Sequence, residues 1–250
     1  MTNKCCVSGS CFLSSCCQTT EFQNTCPNRF ERFRKGQEIY SDAKDGAVCI
    51  INSGVVAATF GLNSEEEAMQ LALLGKGHAI GSVLPFVQYK LIISVQALTD
   101  VEVCKISCQG LRHYAKQNQS ILYNFMLAAN SDVHGLMRQA WIKSPRRIYD
   151  RVMRALLVLN ELQGKDLTVS HDDMALIIGA DRPSVTVALN RLRDEGLVSL
   201  EYRRVRLNST LASHELESML KPDYQRVLLT PSLADKGNDH NRRSPNMRAC

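Results

Sequence analysis

The segment from residue 167 to residue 206 constrains the fold of this chain more than any other feature. Ser170 can cap a helix through its side-chain oxygen, and Asp173, three residues later, completes a variant of the capping box. The apolar residues that follow indicate a short helix that ends at Gly179. The segment therefore begins with a helix whose start and end are both marked in the sequence.

A second helix is predicted almost directly after the first. Asp181 can cap it, and Pro183 lies in its first turn, where a missing backbone N–H costs nothing. Gly196 is placed to end it. Its buried face is predicted by apolar residues at helical spacing, which are Val185, Leu189 and Leu192. Two capped helices in this order are typical of a helix-turn-helix, whose second helix enters the major groove of DNA.

A basic hairpin is predicted after the second helix. Residues 197–200 and 205–207 have the pattern of short strands around Arg203 and Arg204, which is typical of a wing. Arginines there, with Arg206, suit phosphate contacts, which add affinity and salt dependence without specificity. A small α/β domain with a solvated basic hairpin is the alternative. The full order of helix, capped pair and basic hairpin favours DNA binding, and a net charge of +5 agrees with a polyanionic partner.

Polar side chains of the second helix that lie off its buried stripe are the candidates for reading bases. Their donors and acceptors suit the edges of base pairs in the major groove. These candidates are Arg182, Ser184, Thr186, Asn190 and Arg191. Together with Arg203 and Arg204 they form the predicted DNA-binding set.

The front of the chain has a β pattern, which predicts a sensory β-domain over residues 27–112. Short apolar stretches are separated by turns, and Gly54 supplies a positive φ in one of them. The predicted strands are residues 48–51, 55–60, 68–74, 91–98 and 101–106. Many short strands with glycine turns indicate a small barrel or jelly roll, so the fold class of the whole chain is α+β.

Helical spacing replaces the β pattern from about residue 113 to residue 141, which predicts one long amphipathic helix within residues 113–143. Its apolar stripe is Ile121, Leu122, Phe125, Met126, Ala129, Val133, Leu136, Met137 and Ala140. Such a helix can pack on its own domain. Because it stands between two domains, we expect it to pair with its twin in a homodimer.

Ser144 and Pro145 break the long helix and open the predicted winged helix domain of residues 144–210. That domain starts with an amphipathic helix over residues 146–162. The polar tail of residues 211–250 is expected to be partly disordered. No Ser-His-Asp set, phosphate loop or His-Glu zinc motif is recognisable, so we do not expect an enzyme. An adaptor that uses the β-domain for protein contacts is the remaining alternative to a DNA-binding protein.

Six of the ten cysteines lie in a cysteine-rich arm of residues 1–26. They are Cys5, Cys6, Cys11, Cys16, Cys17 and Cys26. The sequence has no secretory signal and no apolar run long enough for a membrane span, so we expect a cytoplasmic protein without membrane contact. Structural disulfides are disfavoured in that reducing compartment, which leaves metal ligation, redox-active thiols or an arm with no specific role.

Three segments resemble the CRP/FNR family of bacterial transcription regulators. Residues 177–186 (IIGADRPSVT) look like that family's helix-turn-helix, residues 33–40 (FRKGQEIY) like the opening of its β-barrel, and residues 51–56 (INSGVV) like the hairpin that follows. The resemblance implies a cyclic-nucleotide-binding-type barrel, a long dimerisation helix and a winged helix domain. It further implies a homodimer that binds a near-palindromic operator on duplex DNA and contacts RNA polymerase.

Two departures from the family pattern limit what the resemblance implies. Well-studied members read bases with a Glu and an Arg where this chain has Pro183 and Val187, so Arg182 becomes the main base-reading candidate. The cyclic-AMP branch has a Gly-Glu-Leu segment followed by an Arg. Here residues 79–86 read AIGSVLPF, with Lys90 as the nearest cation, so we do not expect a cyclic nucleotide to bind.

The cysteine arm resembles the FNR branch, which holds a [4Fe–4S] cluster with three cysteines near its N-terminus and a fourth on a barrel strand. Residues 96–106 (QALTDVEVCKI) resemble the segment with that fourth cysteine and place Cys104 at the matching position. The implied ligands are Cys6, Cys11, Cys16 and Cys104, with Cys5 and Cys17 as alternates, whereas Cys26 suits packing equally well. Zinc binding, thiol redox sensing and a different ligand in the barrel remain open.

Overall fold

The computed structural model describes residues 30–41, 46–60, 69–82, 93–117 and 119–208. The predicted cysteine arm, the polar tail and Lys90 lie outside these residues. Within the described part of the chain, no helix is both long enough and apolar enough to cross a membrane.

The front domain consists of two four-stranded antiparallel sheets packed face to face, which confirms the predicted jelly roll. One sheet has the order β1-β8-β3-β6 and the other the order β2-β7-β4-β5. The strands are β1 (Phe30–Phe33), β2 (Glu38–Ser41), β3 (Ala47–Ser53), β4 (Val56–Phe60), β5 (Met69–Leu74), β6 (Ala79–Ile80), β7 (Ile93–Ala97) and β8 (Val101–Ser107). The apolar side chains between the sheets form a core that includes Ile51, Val56, Val95 and Val103.

Gly54 lies in the turn between β3 and β4 and has the positive φ of 89° that the sequence predicted. A Cβ atom at this position would lie 2.3 Å from the carbonyl oxygen of Asp100. The turn therefore requires glycine for two reasons, its backbone conformation and its close approach to the neighbouring loop.

Five helices follow in the described residues: α1 (Cys108–Gln117), α2 (Gln119–Lys143), α3 (Ile148–Gln163), α4 (His171–Ile178) and α5 (Arg182–Asp194). The helical region expected to begin at His113 begins at Cys108 instead. The hydroxyl of Ser107 accepts a hydrogen bond from the backbone N–H of Gly110 at 3.1 Å, which caps α1. The prediction was wrong there because Gly110 concealed the helical pattern. Helices α1 and α2 lie on either side of residue 118, which is not described, and together they span the region predicted as one helix.

The back domain combines α3, α4 and α5 with a three-stranded antiparallel sheet of order β10-β11-β9. Its strands are β9 (Asp166–Leu167), β10 (Val198–Glu201) and β11 (Arg204–Leu207). The sequence predicted the two wing strands and missed β9, because two residues are too short for a periodic pattern. The core of this domain is continuous with Val55, Leu73 and Leu98 of the front domain, so the two domains share packed apolar surface.

Candidate DNA-binding surface

The capping box predicted for α4 is present. The Ser170 hydroxyl accepts from the backbone N–H of Asp173 at 3.1 Å, and the Asp173 carboxylate accepts from the backbone N–H of Ser170 at 2.8 Å. Gly179 ends the helix in the left-handed conformation, with φ 65°. These local contacts fix both ends of α4 and hence the turn that leads into α5.

Helix α5 begins at the predicted cap. The carboxylate of Asp181 accepts hydrogen bonds from the backbone N–H and the hydroxyl of Ser184, at 2.9 and 2.8 Å. These two bonds hold the pKa of Asp181 below its ordinary value. The predicted inner stripe is buried completely or nearly so at Val185, Leu189 and Leu192. The opposite side of α5 is thereby left on the protein surface.

Three predicted base readers at the start of α5 already have partners within the domain. Arg182 forms an ion pair with Asp172 of α4 at 3.4 Å. The hydroxyl of Thr186 lies 2.8 Å from Nδ1 of His171. Ser184 is bonded to its own cap residue, as described above. Only the ion pair of Arg182 joins two strongly exposed side chains, so Arg182 can exchange its partner for a base or a phosphate at little cost.

Arg191, a fourth predicted base reader, is held against α3. Its guanidinium lies over the ring of Tyr149, 4.5 Å from the centroid, and donates to the carboxylate of Glu195 at 2.8 Å. The Tyr149 hydroxyl donates to the same carboxylate. Hydrogen bonds from Tyr149 and then Arg191 lower the pKa of Glu195. This contact set connects α5 to α3, so Arg191 has a structural role that its sequence position did not reveal.

Two apolar side chains lie on the exposed side of α5, alongside the half-buried Asn190. Pro183 is exposed, and Val187 has 69% of its surface accessible. The sequence analysis named both only as departures from a family pattern. Their exposure could have been predicted, because Val187 is two residues from both Val185 and Leu189 and so points away from the buried stripe.

The wing turn is shorter than predicted, because each strand extends one residue further towards it. It consists of Tyr202 and Arg203, and Arg204 is the first residue of β11, opposite Glu201. Arg203 has φ 55°, and its guanidinium lies 5.3 Å from the centroid of the Tyr202 ring. Arg203 and Arg204 are both exposed, as phosphate contacts require. Arg206 pairs with Asp166 of β9, which ties the hairpin to the rest of the domain.

Polar contacts link this surface to the front domain. Lys35, in the β1–β2 turn, forms an ion pair with Asp173, the residue that completes the α4 capping box. Burial would raise the pKa of Asp173, but hydrogen bonds from Lys35 and Ser170 outweigh it and hold that pKa below its ordinary value. The buried Gln139 of α2 donates to the carbonyl of Ile177 at 2.7 Å. Helix α4 is therefore in contact with both the β-domain and the long helix.

A partly buried acid lies between the long helix and the β-domain. The hydroxyl of Ser82, which follows β6, donates to the carboxylate of Asp132 on α2. Burial raises the pKa of Asp132 to about 6, although the Ser82 hydrogen bond acts in the opposite direction. Ser82 lies in the segment where the cyclic-AMP branch has its Gly-Glu-Leu.

The structure describes the side chains of part of the apolar stripe predicted for the long helix, and most of these side chains are exposed. The exposed large apolar side chains of this helix are Leu122 (43%), Tyr123 (58%), Met126 (72%), Val133 (51%), Leu136 (46%) and Met137 (50%). Most of these recur at intervals of three and four residues, so they share one side of α2. The opposite side packs on β5, where a Cβ at Gly135 would lie 3.4 Å from Ala72 and Leu74.

Cys104 is buried in β8, with 2% of its surface accessible, and its neighbours across the sheet are Phe30 of β1 and Ile50 of β3. Val101 and Val103 belong to the core between the sheets, so the alternation along β8 directs Cys104 to the outer face. Cys49, in β3, belongs to the inner core. The described residues contain no group of three His, Cys, Asp or Glu side chains that could hold a metal ion. The arm cysteines predicted as ligands lie outside the described residues.

The described residues thus combine an antiparallel jelly roll, a long helix with an exposed apolar side, and a capped helix pair followed by a wing. The Crp-like helix-turn-helix domain family matches residues 150–210. No similarity to a curated protein was found.

Solved structures resemble the chain over both domains. A CRP-family transcriptional regulator of Thermus thermophilus is 20% identical, with a TM-score of 0.62, and covers 74% of this chain and 95% of its own. A CRP/FNR-family regulator of the same organism is 24% identical, with a TM-score of 0.60, over 76% of this chain and 98% of its own. FixK2 of Bradyrhizobium japonicum is 17% identical, with a TM-score of 0.62, and the match covers 75% of this chain and 96% of FixK2. The chain thus carries a Crp-like helix-turn-helix domain on the fold of the CRP/FNR transcription regulators.

Proposed function

We propose that this protein is a sequence-specific, DNA-binding transcription regulator that acts as a homodimer. The observation that carries the proposal is the construction of α5: it is capped at Asp181, buried along one stripe, and exposed along the other. A helix of this kind beside a wing with exposed Arg203 and Arg204 matches the way winged helix domains meet duplex DNA.

The proposal assigns different tasks to the two elements. The exposed side of α5 meets base edges, with Arg182 as a candidate reader once it leaves Asp172. The wing arginines meet phosphates, which contribute affinity to every sequence. The exposed side of α2 pairs with the same side of a second copy and sets the distance between two α5 helices. A twofold dimer of this kind binds a near-palindromic operator.

Binding of the full-length protein to duplex DNA at increasing salt concentration tests this function. The affinity should fall linearly on a double-logarithmic plot, because phosphate contacts release condensed counterions. Arg203→Ala should weaken binding to every duplex and reduce the slope by about one. Arg34→Ala, which removes an exposed arginine of the front domain, is the matched control and should leave the slope unchanged. Salt-insensitive binding, or equal slopes for the parent and Arg203→Ala, would count against the proposal.

We further propose that Cys104 and three arm cysteines hold an oxygen-sensitive [4Fe–4S] cluster. When bound, such a cluster supplies redox-dependent chemistry that a protein can couple to a change of shape. The register of β1 on β8 supports the fit, because Phe30 lies directly opposite Cys104. Only residues 27–29 separate the arm from Phe30 in the sequence, so the chain between the arm and the neighbour of Cys104 is short.

Anaerobic purification followed by iron analysis and absorption spectroscopy tests the cluster. The parent should contain iron and bleach in air, and Cys104→Ser should contain none. Cys49→Ser is the matched control, because Cys49 is equally buried but faces the inner core, so it should keep the cluster. Colourless protein with about one zinc per chain would favour the zinc alternative. Loss of iron in both variants would show that Cys104 has no special role.

A further inference from the structure

The exposed side of α5 is apolar at its centre. Val187 is two residues from Val185 and two from Leu189, so it points about 160° away from each of these buried side chains. Pro183 lies four residues before Val187, on the same side and one turn nearer the start of the helix. Val187 is 69% exposed, and Pro183 is also exposed, so the two form a small apolar surface of Pro183 and Val187.

Polar side chains around this surface have partners inside the domain. Arg182 pairs with Asp172, Thr186 with His171, and Arg191 with Glu195. They form a rim whose hydrogen-bonding groups already have partners, on α4 for Arg182 and Thr186 and at the end of α5 itself for Arg191. The apolar surface of Pro183 and Val187 can therefore meet a binding partner without breaking a contact inside the domain.

We propose that the apolar surface of Pro183 and Val187 binds the C5-methyl group of a pyrimidine in the major groove. This inference rests on the proposed function, which places α5 in that groove. The C5-methyl group is the apolar feature that base edges present there, and contact with it distinguishes thymine from cytosine without a hydrogen bond. The protein then reads its operator partly through methyl groups.

The magnitude of the effect follows from the size of the group. Burying one methyl group contributes about 0.8 kcal/mol, which corresponds to about a fourfold change in affinity. A symmetric operator contacted by two copies of α5 contains two such groups. Removing both should therefore weaken binding by roughly 15-fold, the product of the two single effects.

The experiment starts with selection of preferred duplexes from a random library by the full-length protein. Each thymine of the selected duplex is then replaced by deoxyuridine, which removes the methyl group and nothing else. One thymine in each half-site should show the fourfold loss with the parent. Val187→Ala removes most of one half of the surface and keeps Pro183, so it should show a clearly smaller difference between the thymine and deoxyuridine duplexes than the parent. Leu176→Ala removes an exposed apolar side chain of α4 instead and should keep the full difference.

A second arm distinguishes the two natural sources of the methyl group. Selection is repeated with a library in which 5-methylcytosine replaces cytosine. Enrichment of thymine at the sensitive position in both libraries assigns the site to thymine, and enrichment of 5-methylcytosine in the second assigns it to the modified base. Enriched duplexes that tolerate deoxyuridine at every position would overturn the inference, as would an equal loss with Val187→Ala. Selection that enriches no sequence would refute the proposed function itself.

Discussion

Replacing Asp132 with asparagine tests the energetics of the contact between α2 and the β-domain. Burial raises the pKa of this carboxyl from 3.8 to about 6 in the folded protein, against the effect of Ser82. A carboxyl whose pKa is raised on folding is less favourable in the folded protein when it is ionised than when it is protonated. It is ionised at neutral pH, so it destabilises the fold there. The free energy of unfolding therefore rises as the pH falls from above 6 towards 4.

The size of this effect follows from linkage. Raising the pKa of Asp132 from 3.8 to about 6 destabilises the fold by about 3 kcal/mol at pH about 7.5 and by about half of that at pH about 5. Asp132→Asn removes the charge and keeps an oxygen that can accept from Ser82. The new amide N–H groups need partners of their own, so we expect a net stabilisation of about 1–3 kcal/mol at pH about 7.5.

Urea unfolding at fixed protein concentration, at both pH values, measures this difference. The gain from Asp132→Asn should be larger at the higher pH. Ser82→Ala is the control in the opposite direction: it removes a hydrogen bond that favours the ionised carboxylate, so the pH dependence should become steeper. Asp132→Asn that is less stable than the parent at pH about 7.5, or that has the parent's pH dependence, would refute the reasoning.

Three further predictions concern the dimer, a turn and the contact between domains. Val133→Asp should give a monomer in sedimentation, because it would bury a charge between the paired helices. Lys116→Asp on α1 is the control and should remain dimeric. A monomeric parent would contradict the pairing. Gly54→Ala should lower the free energy of unfolding by about 3 kcal/mol or more, because its Cβ would lie 2.3 Å from a carbonyl oxygen. Gly46→Ala is the control, because nothing lies within 4 Å of a Cβ atom at that position. Equal urea midpoints for the two variants would refute the account. Lys35→Met should lower the free energy of unfolding by no more than about 1 kcal/mol, because the ion pair of Lys35 with Asp173 is partly exposed. A loss above about 3 kcal/mol would show that this ion pair contributes more to stability than a partly exposed pair does.

Local signals in the sequence predicted the helix pair well. The caps at Ser170 and Asp181 and the buried stripe of Val185, Leu189 and Leu192 all depend on residues within a few positions of one another. Local rules decide such features because the interacting groups are neighbours on one helix. The jelly roll was predicted for a similar reason, since turns and short apolar stretches mark its strands.

Contacts between distant residues were beyond the sequence. The stack of Arg191 on Tyr149 joins two helices, and the hydrogen bond from Ser82 to Asp132 joins residues 50 positions apart. Chemistry alone identified Arg191 as a base reader, because its role in packing depends on where α3 lies. The predicted DNA-binding set therefore contains residues with structural partners. It also omits the exposed Val187, although helical periodicity alone places that residue opposite the buried stripe.

Hydroxyl-radical footprinting of the full-length protein on its selected duplex tests the central claim most directly. Two copies of α5, held apart by paired α2 helices, should protect two half-sites about one helical turn apart, related by twofold symmetry. Val133→Asp should lose this paired protection at the same protein concentration. A single protected site with the parent protein, or uniform protection along the duplex, would contradict the account of a dimeric, sequence-specific regulator.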